Sequence, residues 1–169
     1  MNLILCGMMG SGKTTVGVKI AEIACLRLCD TDALIVEKYG KIADIFAQNG
    51  EERFREIETE TVKTLAKEDG LAVSTGGGLV LREENVSTLK KNGKIVYLRA
   101  SIDTLVQRLK ADGTRPLLEN ATAGLQDRIA RLVKDRAPVY ERVADCVVDV
   151  DGKTPEEIAR EILQIVEIK

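Results

Sequence analysis

The stretch that most constrains this chain is an octet near its amino terminus, Gly7-Met8-Met9-Gly10-Ser11-Gly12-Lys13-Thr14. It fits G-x-x-x-x-G-K-[ST] without a mismatch, and its flanks give the pattern mechanical sense. Leu3-Ile4-Leu5-Cys6 before it is an apolar run of buried-strand length. After it, Val16, Ile20, Ile23 and Ala24 recur at helical spacing. A strand that turns through glycines straight into a helix leaves backbone N–H groups and the positive helix end facing one point. That arrangement suits a phosphate. Lys13 then reaches the β- and γ-phosphates, and the Thr14 hydroxyl is placed to ligate Mg²⁺. The octet implies binding of a nucleoside triphosphate without saying what is done with it.

Strand-length apolar runs alternate with helical periodicity along the rest of the 169 residues. Strands are expected at residues 26–29, 71–74, 95–98 and 146–150. Helices are expected over residues 13–26, 51–68, about 81–90, 101–110, 124 to about 135, and from the Thr154-Pro155-Glu156-Glu157 cap onward. Strands that are continuously apolar, each followed by a helix, predict a parallel sheet covered on both faces. Nothing divides the chain, so a single three-layer α/β domain over 1–169 is expected.

Composition narrows the chemistry. Lys and Arg number 25 against 27 Asp and Glu, a net charge of −2, which disfavours nucleic acid or an acidic membrane as partner. Histidine is absent, which removes every His-dependent triad, base and metal site. The cysteines Cys6, Cys25, Cys29 and Cys146 do not fall at metal or redox spacings, and all four are expected to be buried, reduced thiols. No stretch approaches the ~18 apolar residues of a membrane span. A cytoplasmic protein is expected.

Four further stretches carry chemistry. Asp30 and Asp32 follow the second strand, and on an extended segment residues i and i+2 point the same way. The two carboxylates would then converge at the carboxyl end of a strand, one on a metal-bound water and the other accepting a proton. A helix-capping pair is the alternative. Gly76-Gly77-Gly78 follows the third strand, where three glycines carry a large ordering cost. They suggest close backbone approach to a ligand, against a merely flexible loop. Arg55, within Glu51-Glu52-Arg53-Phe54-Arg55-Glu56-Ile57-Glu58, reads singly as a surface ion pair. Residues 112–118, with Arg115 between Gly113 and Pro116, interrupt the helical pattern. The polar stretch to about 123 has the length of an active-site lid or of a surface loop. Arg136 stands where Pro138 is expected to disturb the preceding helix.

Taken together these pieces resemble the shikimate kinase family. The resemblance runs in order through Gly7 to Thr15 with Gly17, Asp30-Thr31-Asp32, and Ile42-Ala43-Asp44-Ile45-Phe46 to Phe54-Arg55-Glu56-Ile57-Glu58. It continues through Gly76-Gly77-Gly78, Arg115-Pro116-Leu117-Leu118 and Arg136-x-x-x-Tyr140. It implies a nucleoside-monophosphate-kinase-like P-loop kinase whose central parallel five-stranded sheet has the order 2-3-1-4-5. It implies ATP phosphates on Gly10, Ser11, Gly12, Lys13, Thr14 and Thr15, and Mg²⁺ held by Thr14 with Asp30 near its water shell. Asp32 would hold the shikimate hydroxyls and act as base, with the carboxylate gripped by Arg55 and Arg136 and the substrate touching the Gly76, Gly77 and Gly78 backbone. Arg115 would come from a lid over residues 111–123 to the ATP phosphates. Arg108 would lie against adenine, and Lys153 would fall in the adenine loop. The acceptor region would span about 31–60. The partners implied are shikimate and ATP, with the protein a monomer.

Two other readings remain at this point. One is a kinase of the same fold acting on a different small hydroxy acid. The other is a nucleotide-binding switch without turnover, against which the missing guanine-reading Asn-Lys-x-Asp counts.

Overall fold

A computed structural model describes residues 1–111 and 122–167. Five parallel strands, β1 (Asn2–Cys6), β2 (Arg27–Asp30), β3 (Leu71–Ser74), β4 (Gly93–Arg99) and β5 (Cys146–Asp149), form one sheet in the order β2-β3-β1-β4-β5. Strands β1, β3 and β4 alternate between two cores, as a pleat of period two requires. Leu3 and Leu5 of β1, with Val96 and Leu98 of β4, face one side. Ile4, Cys6, Ile95 and Tyr97 face the other. The first face is covered by α1 (Lys13–Ala24) and α7 (Pro155–Ile165), through Val16, Ile20, Ile158 and Ile162. The second is covered by α3 (Ile42–Leu65), α4 (Glu83–Lys90), α5 (Ile102–Ala111) and α6 (Thr122–Val143). This is the expected three-layer sandwich, and the strand order is the one the resemblance implied.

Three local features depart from the sequence reading. Helix α2 (Thr31–Tyr39) was not expected. It packs on α3 through Ile35, which joins Ile45, Phe54 and Ile57 in a small satellite core beside the main sheet. A nine-residue helix with four β-branched or aromatic residues has weak intrinsic propensity, so tertiary burial of Ile35 makes it. Helix α3 begins at Ile42, nine residues before the expected start, and is broken at Gly50, whose φ of 81° is not helical. The Glu51 onward portion matches the predicted helix. Helix α6 runs on through Pro138 to Val143, where a break was expected. Arg136 and Tyr140 therefore lie one turn apart on the same helix. The proline forgoes one hydrogen bond, and burial of Tyr140 and Val143 in the core holds the turn that follows it.

The cysteines also differ from expectation. Cys6 and Cys29 are buried, Cys146 is half-buried, and Cys25 is exposed at the end of α1, in a left-handed conformation with φ 54°. Burial pushes the Cys6 thiol up to about 12, beyond the range in which a thiolate forms near neutrality. Titration of the native protein with a thiol reagent near pH 8 is expected to label Cys25 rapidly and Cys146 slowly. Cys6 and Cys29 should react only on unfolding, and mass mapping of the labelled peptides checks the order.

Candidate active site

The carboxyl ends of β1, β2 and β3 open onto a cleft of about 520 Å³. Ligands of open parallel sheets bind at this edge because loops and helix amino termini converge there. On one side stands the loop between β1 and α1. Gly10 and Gly12 adopt φ of 82° and 92°, a left-handed conformation that a β-carbon would strain. Gly12 caps α1 with no side-chain bond to the helix, so the first-turn N–H groups remain available to an anion. Lys13 donates from Nζ to the Gly7 and Met8 carbonyls, both at 2.9 Å, which holds the ammonium over the loop. Thr14 Oγ1 donates to Asp30 Oδ2 at 2.8 Å and lies 3.0 Å from Ser74 Oγ. These are oxygen donors of the kind Mg²⁺ prefers, next to the phosphate cradle, and the set fits that ion.

Asp30 and Asp32 both line the cleft, by a route different from the expected one. Strand β2 ends at Asp30, whose Oδ1 accepts from the Ala33 N–H at 3.1 Å and caps α2. Asp32 stands in the first turn of that helix. The capping and the cleft-facing readings of this pair are thus both realised, with Asp30 serving both.

The three glycines make the opposite wall, and their missing side chains are filled by charged groups. A β-carbon on Gly76 would stand 2.7 Å from Asp32 Oδ1 and 3.1 Å from Glu58 Oε1. On Gly77 it would lie 3.2 Å from Arg136 Nη1. On Gly78 it would stand 2.7 Å from Arg55 Cζ, inside van der Waals contact. Gly76 N–H donates to Thr31 Oγ1 at 2.9 Å, which ties the turn to the start of α2. The structure thus brings Asp32, Arg55, Arg136 and the three glycines together.

Arg55 is an ion-paired residue, but not a surface one. Its side chain is 17% exposed and Nη1 donates to Glu58 Oε2 at 2.7 Å, with Glu58 only 1% exposed. Burial raises the Glu58 carboxyl above its ordinary value, against the pull of the Arg55 hydrogen bond. The role of Glu58 is not apparent from the sequence beyond its i+3 spacing from Arg55, which is that of a helical ion pair. Thr31 and Ser74 were likewise missed. Small hydroxyls at strand ends leave no signature in periodicity. Among the described cleft residues, three cations (Lys13, Arg55, Arg136) balance three carboxylates (Asp30, Asp32, Glu58).

The nucleotide-side residues divide. Arg108 Nη1 donates to the Gly10 carbonyl at 3.2 Å and lies 3.2 Å from where a Gly12 β-carbon would be, so it braces the phosphate loop. Lys153, expected in the adenine loop, pairs with Glu161 of α7 at 2.6 Å and remains partly exposed. Nearby, Asp151 Oδ1 accepts the Ser101 N–H at 3.1 Å. Thr15 lines the cleft. Arg115 lies outside the described residues, as does most of the 111–123 segment.

A phosphate loop opening α1, with paired carboxylates and an arginine-lined pocket in the same cleft, defines a P-loop kinase of the nucleoside-monophosphate-kinase-like fold. The shikimate kinase family model matches residues 9–167, and the chain belongs to that family. It is 45% identical over 163 residues to the shikimate kinase of Sulfurihydrogenibium sp. (strain YO3AOP1), covering 96% of this chain and 95% of that one. Identity to the Caldicellulosiruptor bescii shikimate kinase is 42% over 165 residues, covering 97% and 94%. Among solved structures, the shikimate kinase of Acinetobacter baumannii in complex with shikimate superposes with a TM-score of 0.89 at 35% identity. That match covers 98% of this chain and 92% of the other.

Ser11 Oγ is fully buried and has no hydrogen-bond partner among the described residues. It sits beneath the loop, 3.1 Å from where a Gly7 β-carbon would stand. An unpartnered buried hydroxyl costs stability, so Ser11→Ala is expected to be neutral or to stabilise by up to about 1 kcal/mol. Urea unfolding of the ligand-free protein measures it, and a loss of more than 1 kcal/mol contradicts the assignment.

Proposed function

We propose that this protein transfers the γ-phosphoryl group of ATP to the 3-hydroxyl of shikimate, giving shikimate 3-phosphate and ADP. It would act as a monomer built from one domain. The observation that carries this reading is the convergence of Arg55, Arg136 and Asp32 on the triple-glycine turn, across the cleft from the phosphate loop. Shikimate is a small carboxylate bearing three hydroxyls. Two guanidinium groups suit the carboxylate, and an aspartate suits the hydroxyls. A phosphate-bearing acceptor would find Asp32 and Glu58 where it needs cations.

In this reading Gly10, Ser11, Gly12 and Thr15 cradle the phosphates through backbone N–H groups, and Lys13 neutralises their charge. Thr14 would hold Mg²⁺ directly and Asp30 through water. The ion, when bound, withdraws charge from the β- and γ-phosphate oxygens. Arg55 and Arg136 fix the carboxylate, and the Gly76, Gly77 and Gly78 backbone sets the ring's depth in the cleft. Asp32 accepts the 3-hydroxyl proton as that oxygen bonds to the γ-phosphorus and the β,γ-bridging P–O bond breaks. Charge building on the transferring group is met by Lys13 and, from the lid segment, by Arg115. Arg108 contributes at the adenine side, with Lys153 the weakest member of the set. A protein whose four cysteines are unpaired suits the reducing cytoplasm, where we place it.

Product analysis at saturating ATP and Mg²⁺ is expected to show shikimate 3-phosphate and shikimate-dependent ADP release. ADP release without an acceptor, or only with another hydroxy acid, overturns the assignment. Gly78→Ala separates binding from folding. Gly78 has an ordinary φ of −94°, so alanine fits the backbone, and the atoms nearest the new methyl belong to the end of Arg55, including the Nη1 that donates to Glu58. Melting should change little, while shikimate affinity falls roughly tenfold or more, the scale of one charge-assisted hydrogen bond. Asp32→Asn is expected to lower kcat by about 10²–10⁴ with the ATP KM nearly unchanged, as loss of a general base does.

A further inference from the structure

Helix α6 carries a residue that touches the acceptor site only from behind. Tyr140 is fully buried and is not among the residues lining the cleft. Its hydroxyl donates to the Gly77 carbonyl at 2.6 Å, a span of 63 residues along the chain. Its ring packs against Tyr97 of β4 with centroids 5.1 Å apart, and the hydroxyl lies 4.0 Å from Met8 Sδ in the phosphate loop. Arg136, one turn earlier, faces the same oxygen. Both groups approach the point where a Gly77 β-carbon would stand, Arg136 Nη1 at 3.2 Å and Tyr140 Oη at 3.7 Å.

We propose that Tyr140 is a positioning residue of the acceptor site, locking the orientation of the Gly77–Gly78 peptide and the seat of Arg136. A peptide unit is planar, so fixing its carbonyl fixes its N–H on the opposite side. With the carbonyl held by Tyr140, the planar peptide would turn the Gly78 N–H to the opposite side, toward the cleft that Gly77 and Gly78 line. A glycine pair has no side chains to hold that plane, and either orientation is sterically open to it. The phenol supplies the missing restraint. The same oxygen, donating its O–H to the Gly77 carbonyl, presents lone pairs to Arg136 and orients the guanidinium. Burial pushes the Tyr140 hydroxyl up to about 12, so it stays a donor throughout the working range of an enzyme. The ring's packing on Tyr97 sets the hydroxyl's position from the sheet itself.

This inference rests on shikimate being the acceptor, and its test separates the two claims. Tyr140→Phe keeps the ring and removes only the hydroxyl. Tyr97→Phe, on the same ring pair, serves as the control. Steady-state kinetics are run on wild type and both variants with shikimate and ATP varied in turn. Proton–nitrogen spectra of the ligand-free proteins report the Gly77 and Gly78 amides. For Tyr140→Phe the shikimate KM is expected to rise roughly three- to tenfold, the worth of one neutral hydrogen bond, with the ATP KM within about twofold of wild type. The two glycine amide signals should shift or broaden before any ligand is added. Tyr97→Phe should leave both KM values and the glycine signals in place. An unchanged shikimate KM in a folded Tyr140→Phe protein overturns the proposal. So does a parallel loss for ATP and shikimate, which marks general damage. If wild type does not turn over shikimate, the acceptor assignment fails, and unmoved Gly77 and Gly78 signals would then overturn the positioning role separately.

Discussion

The close approach of Asp32, Arg55 and Arg136 to the backbone of Gly76–Gly78 is the contact on which the rest of the site depends. Charged side chains from α2, α3 and α6 reach one small pocket only because the strand end they meet has no side chains of its own. The cost of those glycines is conformational freedom in the unfolded chain, about 0.5–1 kcal/mol each relative to alanine. The fold offsets part of it with directed bonds. Thr31 takes the Gly76 N–H, Tyr140 takes the Gly77 carbonyl, and buried Asn85 takes the Leu79 carbonyl just beyond the turn. Thr59 of α3, on the helix face that carries Arg55, donates to Asn85 at 2.8 Å. Turn and arginine helix are thus braced on the same side chain, and the spacing between them is fixed from within the core.

Much of this was legible in the chain. The Gly7–Thr14 octet located the phosphate loop, because its spacing is dictated by the geometry of a strand turning into a helix. The alternation of apolar strands gave the layers, since both faces of a parallel sheet must be dry. The acceptor residues were visible as an ordered set, while Arg55 alone read as a surface pair. Local pattern could not separate the two outcomes, because an Arg–Glu pair at helical spacing looks the same in solvent and in a cleft. Helix α2 was illegible for another reason. It is stabilised by Ile35 meeting Phe54 and Ile57 from a distant segment, which periodicity over nine residues does not record. Pro138 misled in the opposite direction. Its intrinsic helix-breaking cost is outweighed by burial of Tyr140 and Val143, and that burial is tertiary.

The site carries an electrostatic load. Glu58, almost wholly buried, is raised by desolvation even though Arg55 bonds to it. A carboxyl raised in the folded state binds its proton more tightly there than in the unfolded chain. Its contribution to stability is therefore full below the unfolded value and is lost as pH rises through the folded one. Where Glu58 is ionised, the pair is held at a cost to the fold, as expected of a buried ion pair. What the molecule gains is an Arg55 guanidinium already oriented and partly stripped of water, so that an incoming carboxylate need not order it.

The same trade explains where stability is recovered. The phosphate loop and acceptor pocket sit at the carboxyl edge of the sheet, where backbone and side-chain polarity is highest. The central strand β1 beneath them is fully apolar from Leu3 to Cys6 and buried on both faces. Parallel pairing to β3 and β4 holds β1 from both sides, so the loop that follows Cys6 emerges from the most constrained strand of the sheet. Thr75 Oγ1 and N–H both donate to the Leu5 carbonyl, at 2.9 and 3.1 Å. That double contact fixes the start of the glycine turn to the strand that launches the phosphate loop. Donor and acceptor halves of the cleft are therefore registered through one carbonyl of β1, and in-line transfer between them inherits its geometry from the sheet.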